Sequence, residues 1–257
     1  MIDLHNHDLL TIFLVGLAVI LATSETGHWL GMRAASRGGE DVSTLENAVF
    51  GMLALIIAFT FAMAVSRFET RRDAVVNEAN AIGTAALRAR LLPEPHRAES
   101  LKLLREYVRV RLTITEHLAF RTELAAADRS AVLEEALWRQ AKAMAAKDNG
   151  VVPTGLFIQA VNDMIDSQGK RLAALRNRVP NIVLLSLFGL AAIAGGYIGY
   201  ASGLDVRRTR LPVYIIGLVV SVVIVLILDL DRPSRGFIQV SQQPLTDAAA
   251  SIDAFSD

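Results

Sequence analysis

Four stretches of this chain contain no Asp, Glu, Lys or Arg and approach the length of a membrane span. They comprise residues 9–24, 47–66, 179–204 and 211–228, and they are 16, 20, 26 and 18 residues long. A transmembrane helix needs about 20 consecutive, mostly apolar residues, with a range of roughly 17–25. We therefore predict four membrane spans, of which the first is the shortest. This pattern limits the chain to a multi-pass membrane protein with the lipid bilayer as a partner.

The first stretch has one alternative interpretation, a cleaved secretory signal peptide. A signal peptide begins with a positively charged segment and ends at a cleavage site of small residues. Residues 1–8 contain neither Lys nor Arg. We therefore favour an uncleaved span for residues 9–24.

The charged residues are concentrated between the second and third spans. The whole chain has 26 Lys+Arg and 26 Asp+Glu. Residues 67–178 hold 19 of the Lys+Arg and 14 of the Asp+Glu, which gives this segment a net charge of +5. The rest of the chain therefore has a net charge of −5. Because nucleic-acid-binding proteins normally carry an excess of positive charge, the neutral total argues against nucleic acid as a partner. The predicted division is 1–66 for the first two spans, 67–178 for an insert, 179–230 for the last two spans and 231–257 for a tail.

Orientation follows from the Lys and Arg residues near the span ends, which are enriched on the cytoplasmic side. Eight of them lie on the side of the insert and of both termini, and five lie on the opposite side. We predict that the insert, the N-terminus and the C-terminal tail are cytoplasmic.

The second span continues into the insert without a helix-breaking residue. Neither Pro nor Gly occurs in residues 52–82, and Pro93 and Pro95 provide the first stop signal. We predict one helix over about residues 44–92, which would be ~70 Å long. That length is about twice the thickness of the hydrocarbon layer, so half of the helix extends into water.

Three further helices are predicted in the insert from apolar residues at three-to-four spacing. The first covers about residues 98–125, the second begins after Asp128 as its N-cap, and the third covers residues 154–178. No segment of useful length alternates with the period of two that is typical of strands. The expected fold is an all-α membrane protein with two-plus-two transmembrane helices and a central cytoplasmic helical bundle.

Small residues recur in the third span. Gly195, Gly199 and Gly203 are spaced four residues apart. Such spacing allows close packing of helices in membranes, which is the favoured interpretation. A permeation path lined by backbone is the alternative.

No motif for catalysis or cofactor binding occurs in the sequence. A nucleotide-binding glycine loop, HExxH and GxSxG are all absent. The absence of cysteine excludes a disulfide scaffold and a thiolate metal site. We interpret His96 and His117 as solvent-facing residues. We therefore predict that the protein is not an enzyme and that it binds no cofactor or metal ion.

Charged and aromatic residues mark the point where the second span ends. Arg67, Phe68, Glu69 and Arg71 follow its apolar stretch directly. Interfacial anchoring with local ion pairs accounts for these charges. A functional role of this helix exit is the alternative.

Two carboxylates and two guanidiniums follow the fourth span. They belong to Asp229, Asp231, Arg232 and Arg235. Because an unpaired carboxylate near the membrane boundary is costly, we expect Asp229 to pair with Arg, to cap a neighbouring helix or to bind a cation. Calcium takes about six to eight oxygen ligands, which these two carboxylates alone do not supply. The four residues form a possible cation or ion-pair site.

Two longer motifs extend over the regions just described. The first contains Arg71-Arg72, Glu78-Ala79-Asn80-Ala81-Ile82-Gly83-Thr84, Leu87-Arg88 and Leu92-Pro93, and the second is Leu228-Asp229-Leu230-Asp231-Arg232-Pro233-Ser234-Arg235-Gly236. In these motifs and in its two-plus-two arrangement, nearly the whole chain resembles a family of bacterial membrane proteins that have a bestrophin-like domain. This resemblance implies a multi-pass protein of the bacterial inner (cytoplasmic) membrane.

A more distant resemblance links the chain to bestrophin channels. Phe59, Arg67, Phe68 and Arg71 follow the order of residues at the end of the second helix of those channels. In bestrophins this helix lines the pore of a homopentamer. The resemblance therefore implies a homo-oligomer, with five copies expected, whose further partners are inorganic ions.

The same resemblance implies a hydrophobic neck at Phe59, Leu55 and Gly51. Gly51 departs from the bulky apolar residue that is usual at this place. Together with Met63, these residues share one helix face because they recur every four residues. Rings of such residues gate channels by dewetting, and ordinary helix packing in lipid would produce the same spacing.

The sequence leaves two functional hypotheses. The first is an oligomeric bestrophin-like ion channel, and the second is a non-conducting membrane scaffold or signalling module whose insert binds a cytosolic partner. Bestrophins hold calcium with an acidic cluster after the fourth span, but Asp229 and Asp231 are sparser, so calcium regulation is not implied. Because the insert carries charges of both signs, the sequence does not predict which ion would pass.

Overall fold

The computed structural model describes residues 7–35, 43–116, 120–147, 150–205, 210–233 and 236–255. Eight α-helices and no strands lie in these ranges. The helices are α1 (Leu9–Ala35), α2 (Ser43–Ala89), α3 (His96–Glu116), α4 (Phe120–Ala145), α5 (Leu156–Arg176), α6 (Asn181–Leu204), α7 (Leu211–Asp231) and α8 (Gln243–Asp253). This confirms the prediction of an all-α protein.

Four helical runs are long and apolar enough to cross a membrane. They are α1, α2, α7 and the run Val152–Leu204, which ends with α6. Each of the four uncharged stretches lies within one of these runs, so the predicted number of spans is confirmed.

The first helix is longer than the span predicted for it. α1 continues past residue 24 to Ala35 and includes the charged residue Glu25. The Glu25 carboxylate lies 3.1 Å from the Arg210 guanidinium and accepts a hydrogen bond from the Tyr214 hydroxyl at 2.6 Å. Arg210, just before α7, compensates the charge and Tyr214 adds a hydrogen bond, so α1 accommodates a charged residue beyond the uncharged stretch.

The chain forms two compact units. The membrane unit comprises Met1–Arg67, Arg178–Arg232 and Gly236–Ile238, and the insert unit comprises Phe68–Asn177, Pro233–Arg235 and Gln239–Asp257. The continuous helix α2, 47 residues long, contributes to both. The prediction that one long helix leaves the second span is therefore confirmed. The exact membrane borders and the cytoplasmic location of the insert stay predictions.

Within the membrane unit, α1 and α6 touch backbone to backbone. A Cβ atom built on Gly27 would overlap the carbonyl oxygen of Gly196, and one built on Gly199 would overlap the carbonyl oxygen of Ser24. Only glycine therefore fits at these two positions. Close approach through small residues stabilises helix pairs in membranes, and this packing accounts for the glycine spacing of the third span.

Within the insert unit, one hydrophobic core is formed by α3, α4, α5, α8 and the second half of α2. Its members include Val75, Ala79, Ile82 and Ala86 of α2, Leu101, Leu104 and Val108 of α3, Leu137 and Met144 of α4, Phe157 and Val161 of α5, and Leu245 and Ile252 of α8. Most of the apolar residues at three-to-four spacing thus face this core, but Val132 of α4, which shares that spacing, is exposed.

The boundary between α3 and α4 differs from the prediction. α3 ends at Glu116 and not near residue 125, and α4 begins at Phe120, so Asp128 lies inside a helix and is no N-cap. Residues 120–127 contain neither Pro nor Gly and end in three alanines. Because Ala is the strongest helix former, the local propensity outweighs the capping preference of Asp.

The segment predicted as a C-terminal tail contains α8. Leu245 and Ile252 lie seven residues apart on one face of this helix and are fully buried. Arg105 of α3 donates a hydrogen bond to the carbonyl oxygen of Ile252 at 3.3 Å. Only two large apolar residues carry the helical pattern here, which is why the sequence did not predict a packed helix.

The prediction that His96 faces solvent is wrong. Its side chain is buried, and its Nδ1 atom lies 2.8 Å from Oε1 of Gln140 on α4. A polar partner on the neighbouring helix makes burial of the imidazole possible. His117 lies outside the described residues.

Candidate functional site

One face of α2 is uncovered within the apolar stretch. Gly51, Leu55, Phe59 and Met63 are all exposed, and Leu55 and Phe59 keep 55% and 66% of their surface accessible. The four predicted neck residues therefore form one continuous exposed line along the helix. In a bilayer this line must face lipid, another protein chain or the lumen of a pore.

The nearly opposite face of α2 is packed within the membrane unit. Leu53, Thr60 and Ala64 are buried there. The Thr60 hydroxyl donates a hydrogen bond to the carbonyl oxygen of Ile56 at 2.7 Å, so it needs no partner on another helix. In the most apolar window of α2 17% of the residues are buried, compared with 28–39% in the other three runs. α2 is thus the least buried of the four spans and has the most surface available for contact with other molecules.

Gly51 leaves an open position at one end of this line. No heavy atom from elsewhere in the described structure lies within 4 Å of a Cβ built on it. The glycine is therefore not required by packing within the chain. It removes one side chain from the exposed line, so Leu55 and Phe59 are its bulkiest consecutive members.

The predicted exit residues lie on different faces of α2. Glu69 is exposed, Arg67 and Phe68 are half-buried, and Arg71 is buried with only 2% of its surface accessible. The four residues therefore do not form one cluster. The acidic side chain faces outward, whereas Arg71 faces the packed side of the helix.

A buried ion-pair network that was not predicted from the sequence lies further along α2. The fully buried Glu78 accepts hydrogen bonds from Arg111 of α3 and from Arg171 of α5, both at 2.5 Å. Arg171 also donates to Oε1 of Gln242, next to α8, at 3.0 Å. One carboxylate thus joins α2, α3 and α5, and Arg171 extends the network to the residue before α8.

A second polar pair extends the network towards α4. The buried Tyr107 hydroxyl donates a hydrogen bond to the Glu134 carboxylate at 3.1 Å. Burial raises the pKa of Tyr107, and the nearby Glu78 raises it further. Burial also raises the pKa of Glu134, although the Tyr107 hydrogen bond and Arg111 act in the opposite direction. Glu134 therefore carries its negative charge in an unfavourable environment.

The sequence contained a signal for this network. Glu78 falls between Val75 and Ile82 on the apolar stripe of α2, and Arg111 falls seven residues after Leu104 on that of α3. Charged residues on a buried stripe must be paired, because burial of an isolated charge is costly. Their opposite signs would have suggested the pairing.

The two aspartates after the fourth span bind backbone N–H groups. Asp229 accepts hydrogen bonds from the N–H groups of Phe237 at 2.7 Å and Ile238 at 2.9 Å. Both oxygens of Asp231 lie 3.0 Å from the nitrogen of Val179, just before α6. Phe237 and Ile238 lie in a segment outside any helix, so through these bonds Asp229 holds a loop and does not cap a neighbouring helix. Cation binding stays a prediction, and among the described residues no group of three or more His, Cys, Asp or Glu is placed to hold a metal ion.

The remaining members of that predicted site are less well defined. Arg232 is buried with 5% of its surface accessible, and Arg235 lies outside the described residues. Gly236 is required by the Asp229 contact, because a Cβ atom there would lie 2.9 Å from Oδ1 of Asp229 and 2.7 Å from its carbonyl oxygen. The second motif therefore forms a clamp at the end of α7, in which Asp229 holds the backbone of the segment that follows this helix.

Known structures share this architecture over almost the entire chain. Two solved structures of a bacterial bestrophin homologue from Klebsiella pneumoniae, one of them a point mutant, each match with a TM-score of 0.67 at 13% and 12% identity. The match covers 96% of both chains in the first case, and 94% of this chain and 96% of the other in the second. A crystal structure of a mutant described as a membrane protein matches at TM-score 0.66 and 15% identity, covering 95% and 96%. At this identity the likeness shows a shared fold.

The sequence itself provides the family assignment. No curated protein matches it significantly. The family model described as "Bestrophin-like domain" matches residues 12–245. This range contains all but the first three residues of α1, the other three spans and the whole insert. The chain therefore belongs to the Bestrophin-like family of membrane proteins.

Proposed function

We propose that the protein is one subunit of a homo-oligomeric, bestrophin-like ion channel in the bacterial inner membrane, with α2 lining the pore. The observation that carries this proposal is the exposed line Gly51, Leu55, Phe59 and Met63 on the least covered span. Several copies around an axis, five by resemblance to bestrophins, would remove this line from lipid and close it into rings.

The side chains on the line fit a hydrophobic constriction. Leu55 and Phe59 are the bulkiest, and each would contribute one apolar ring. Narrow apolar rings stop ion flow by dewetting, without any charged gate. The proposal therefore assigns the neck to Leu55 and Phe59, while Gly51 widens the pore one turn before them.

Ion flux into liposomes that contain the purified protein tests the proposal. We expect flux above that of empty vesicles, and we expect Phe59→Ala to increase it because the constriction widens. The matched control is Ile193→Ala, since Ile193 on α6 is also apolar and 63% exposed but lies off α2. Absence of flux under several ionic conditions, or equal flux for wild type and Phe59→Ala, would contradict a neck at this position.

A second candidate function is a non-conducting scaffold or signalling module. Four apolar side chains of the insert unit favour it, because more than half of each is exposed: Leu87, Leu91, Val132 and Val152. Exposed apolar side chains suit a cytosolic partner protein where they form one contiguous patch. A monomer or dimer in detergent would support this function over a pore, since too few copies of α2 would surround an axis.

A further inference from the structure

An open groove lies between α1 and α6 in the membrane unit. Its volume is about 580 Å³, which falls in the range of roughly 300–1,000 Å³ that is typical of small-molecule sites. Its floor lies where Gly27 and Gly196 bring the two backbones together without side chains. Its walls include Thr26 and Leu30 of α1 and Ile193, Tyr197 and Tyr200 of α6.

The surface of this groove is apolar. Leu30 and Ile193 keep 48% and 63% of their surface accessible. The hydroxyls of Thr23 and Thr26 donate hydrogen bonds to carbonyl oxygens of α1 itself, at 2.9 and 2.8 Å. Because these hydroxyls already have acceptors, the groove suits a hydrocarbon chain better than a polar ligand. Both walls belong to helices long and apolar enough to span a membrane, so the groove opens towards the hydrocarbon layer.

One end of the groove has the composition of a membrane surface. α1 and α6 run in the same direction, so their C-terminal ends lie together. Trp29, Tyr197 and Tyr200 are found towards this end. Trp and Tyr are enriched where the hydrocarbon layer meets water. A hydrocarbon chain in the groove would therefore have its polar end beside these aromatic residues.

Arg33 stands at the same end. It follows Leu30 by three residues and Thr26 by seven, which places it on the same side of α1, and it is exposed. Its guanidinium carbon lies 3.4 Å from the centroid of the Trp29 ring. Stacking engages the flat face of a guanidinium, whereas phosphate oxygens bind its N–H edge. The Trp29 contact is therefore compatible with phosphate binding and orients the side chain.

We propose that this groove binds an anionic phospholipid of the surrounding bilayer, with one acyl chain between α1 and α6 and the phosphate at Arg33. An apolar groove alone would accept any apolar segment, including a second copy of the chain. The basic residue at its surface end favours a lipid, because basic sites between transmembrane helices bind lipid phosphates. A zwitterionic headgroup carries its own cation beside the phosphate, so an anionic headgroup gains more from Arg33. The site is separate from the exposed line of α2 and does not depend on channel function.

Native mass spectrometry of the full-length protein in detergent tests this proposal, with titrations of phosphatidylglycerol and of phosphatidylcholine that have the same acyl chains. We expect phosphatidylglycerol to bind more tightly. Gly196→Leu fills the groove and should weaken binding of both lipids several-fold. A Cβ on Gly196 meets its nearest atom at 3.5 Å, so the backbone tolerates it. The matched control is Gly189→Leu on the same helix, where a Cβ meets no atom within 4 Å.

Two further variants test the headgroup and the acyl chain separately. Arg33→Gln should lower the preference for phosphatidylglycerol about two- to fivefold, the effect of one exposed ion pair. Its control is Arg210→Gln, which removes an exposed guanidinium that contacts Glu25. Ile193→Ser places a polar group in the groove at an exposed position, so it should weaken binding of both lipids without disturbing the packed core. It decides the matter if Gly196→Leu does not fold.

The outcomes that would overturn the proposal are distinct. Lipid binding by Ile193→Ser at the wild-type level, or equal binding by Gly196→Leu and Gly189→Leu, would show that the acyl chain does not occupy the groove. An equal preference for phosphatidylglycerol in Arg33→Gln and Arg210→Gln would show that Arg33 does not hold the phosphate. A changed oligomer mass for Gly196→Leu with unchanged lipid binding would assign the groove to a second copy of the chain.

Discussion

Glu78 on α2 and Arg171 on α5 are joined by a hydrogen bond of 2.5 Å, although 93 residues separate them in the sequence. Both side chains are buried, and Arg111 donates to the other oxygen of the same carboxylate. The helix proposed to line the pore is thereby fixed to α3 and α5 at one buried point. Loss of this carboxylate would leave two buried guanidiniums without their counter-ion.

We expect Glu78→Ala to lower the free energy of unfolding by about 3–5 kcal/mol, because removal of one member of a buried ion pair leaves uncompensated charge. Thermal unfolding in detergent measures the effect. The control is Glu94→Gln, which breaks the exposed ion pair with Arg97 and should cost less than about 1 kcal/mol. Equal melting temperatures for the two variants would show that the network does not stabilise the insert unit.

The contact of α1 with α6 leads to a second prediction. Gly199→Ala should destabilise the membrane unit by about 1–3 kcal/mol, because the new methyl group would overlap the carbonyl oxygen of Ser24 and force the helices apart. Gly189→Ala on the same helix is the control, since a Cβ there meets no atom within 4 Å. If Gly199→Ala melted at the wild-type temperature, the backbone contact would not hold the two helices together.

Glu134 makes a prediction about pH. Burial raises its pKa in the folded state, so its contribution to stability is greatest when the carboxyl is protonated and is lost as the pH rises through the folded-state pKa. Glu134→Gln should therefore match the wild type at pH below about 4 and melt at a higher temperature near neutral pH. Melting curves of both proteins over this pH range measure the difference. A difference that does not change with pH would contradict this account of Glu134.

The clamp at the end of α7 leads to the fourth prediction. Asp229→Ala removes the acceptor of two backbone N–H groups and should cost about 1–3 kcal/mol. If the role of this carboxylate is to hold the two N–H groups, calcium should leave the wild-type melting temperature unchanged. A rise with calcium that disappears in Asp229→Ala would instead establish the predicted cation site.

The membrane architecture was predictable because lipid imposes a simple rule on the sequence. Long uncharged stretches, helix stop signals at Pro93 and Pro95 and the spacing of Gly195, Gly199 and Gly203 are all local features. Each has one dominant physical meaning, so the number of spans, the long α2 and the close contact of α6 followed from the sequence.

The polar contacts were not predictable in the same way. Glu78 is paired with residues 33 and 93 positions away, and nothing in local spacing specifies such pairs. Asp229 binds the backbone of Phe237 and Ile238, eight and nine residues later, and local spacing does not specify this contact either. The direction of Glu69 and Arg71 depends on which face of α2 is packed, and that face is set by tertiary contacts.

The pore-lining role of Phe59 can be measured directly because the chain contains no cysteine. A Phe59→Cys variant has a single thiol, and a charged, membrane-impermeant thiol reagent reaches it only through water. We predict that the reagent lowers the current through this variant and leaves the current of an Ile193→Cys control unchanged. If the current through Phe59→Cys stayed unchanged and the thiol at position 59 stayed unlabelled, this position would face lipid. That result would contradict a pore lined by α2.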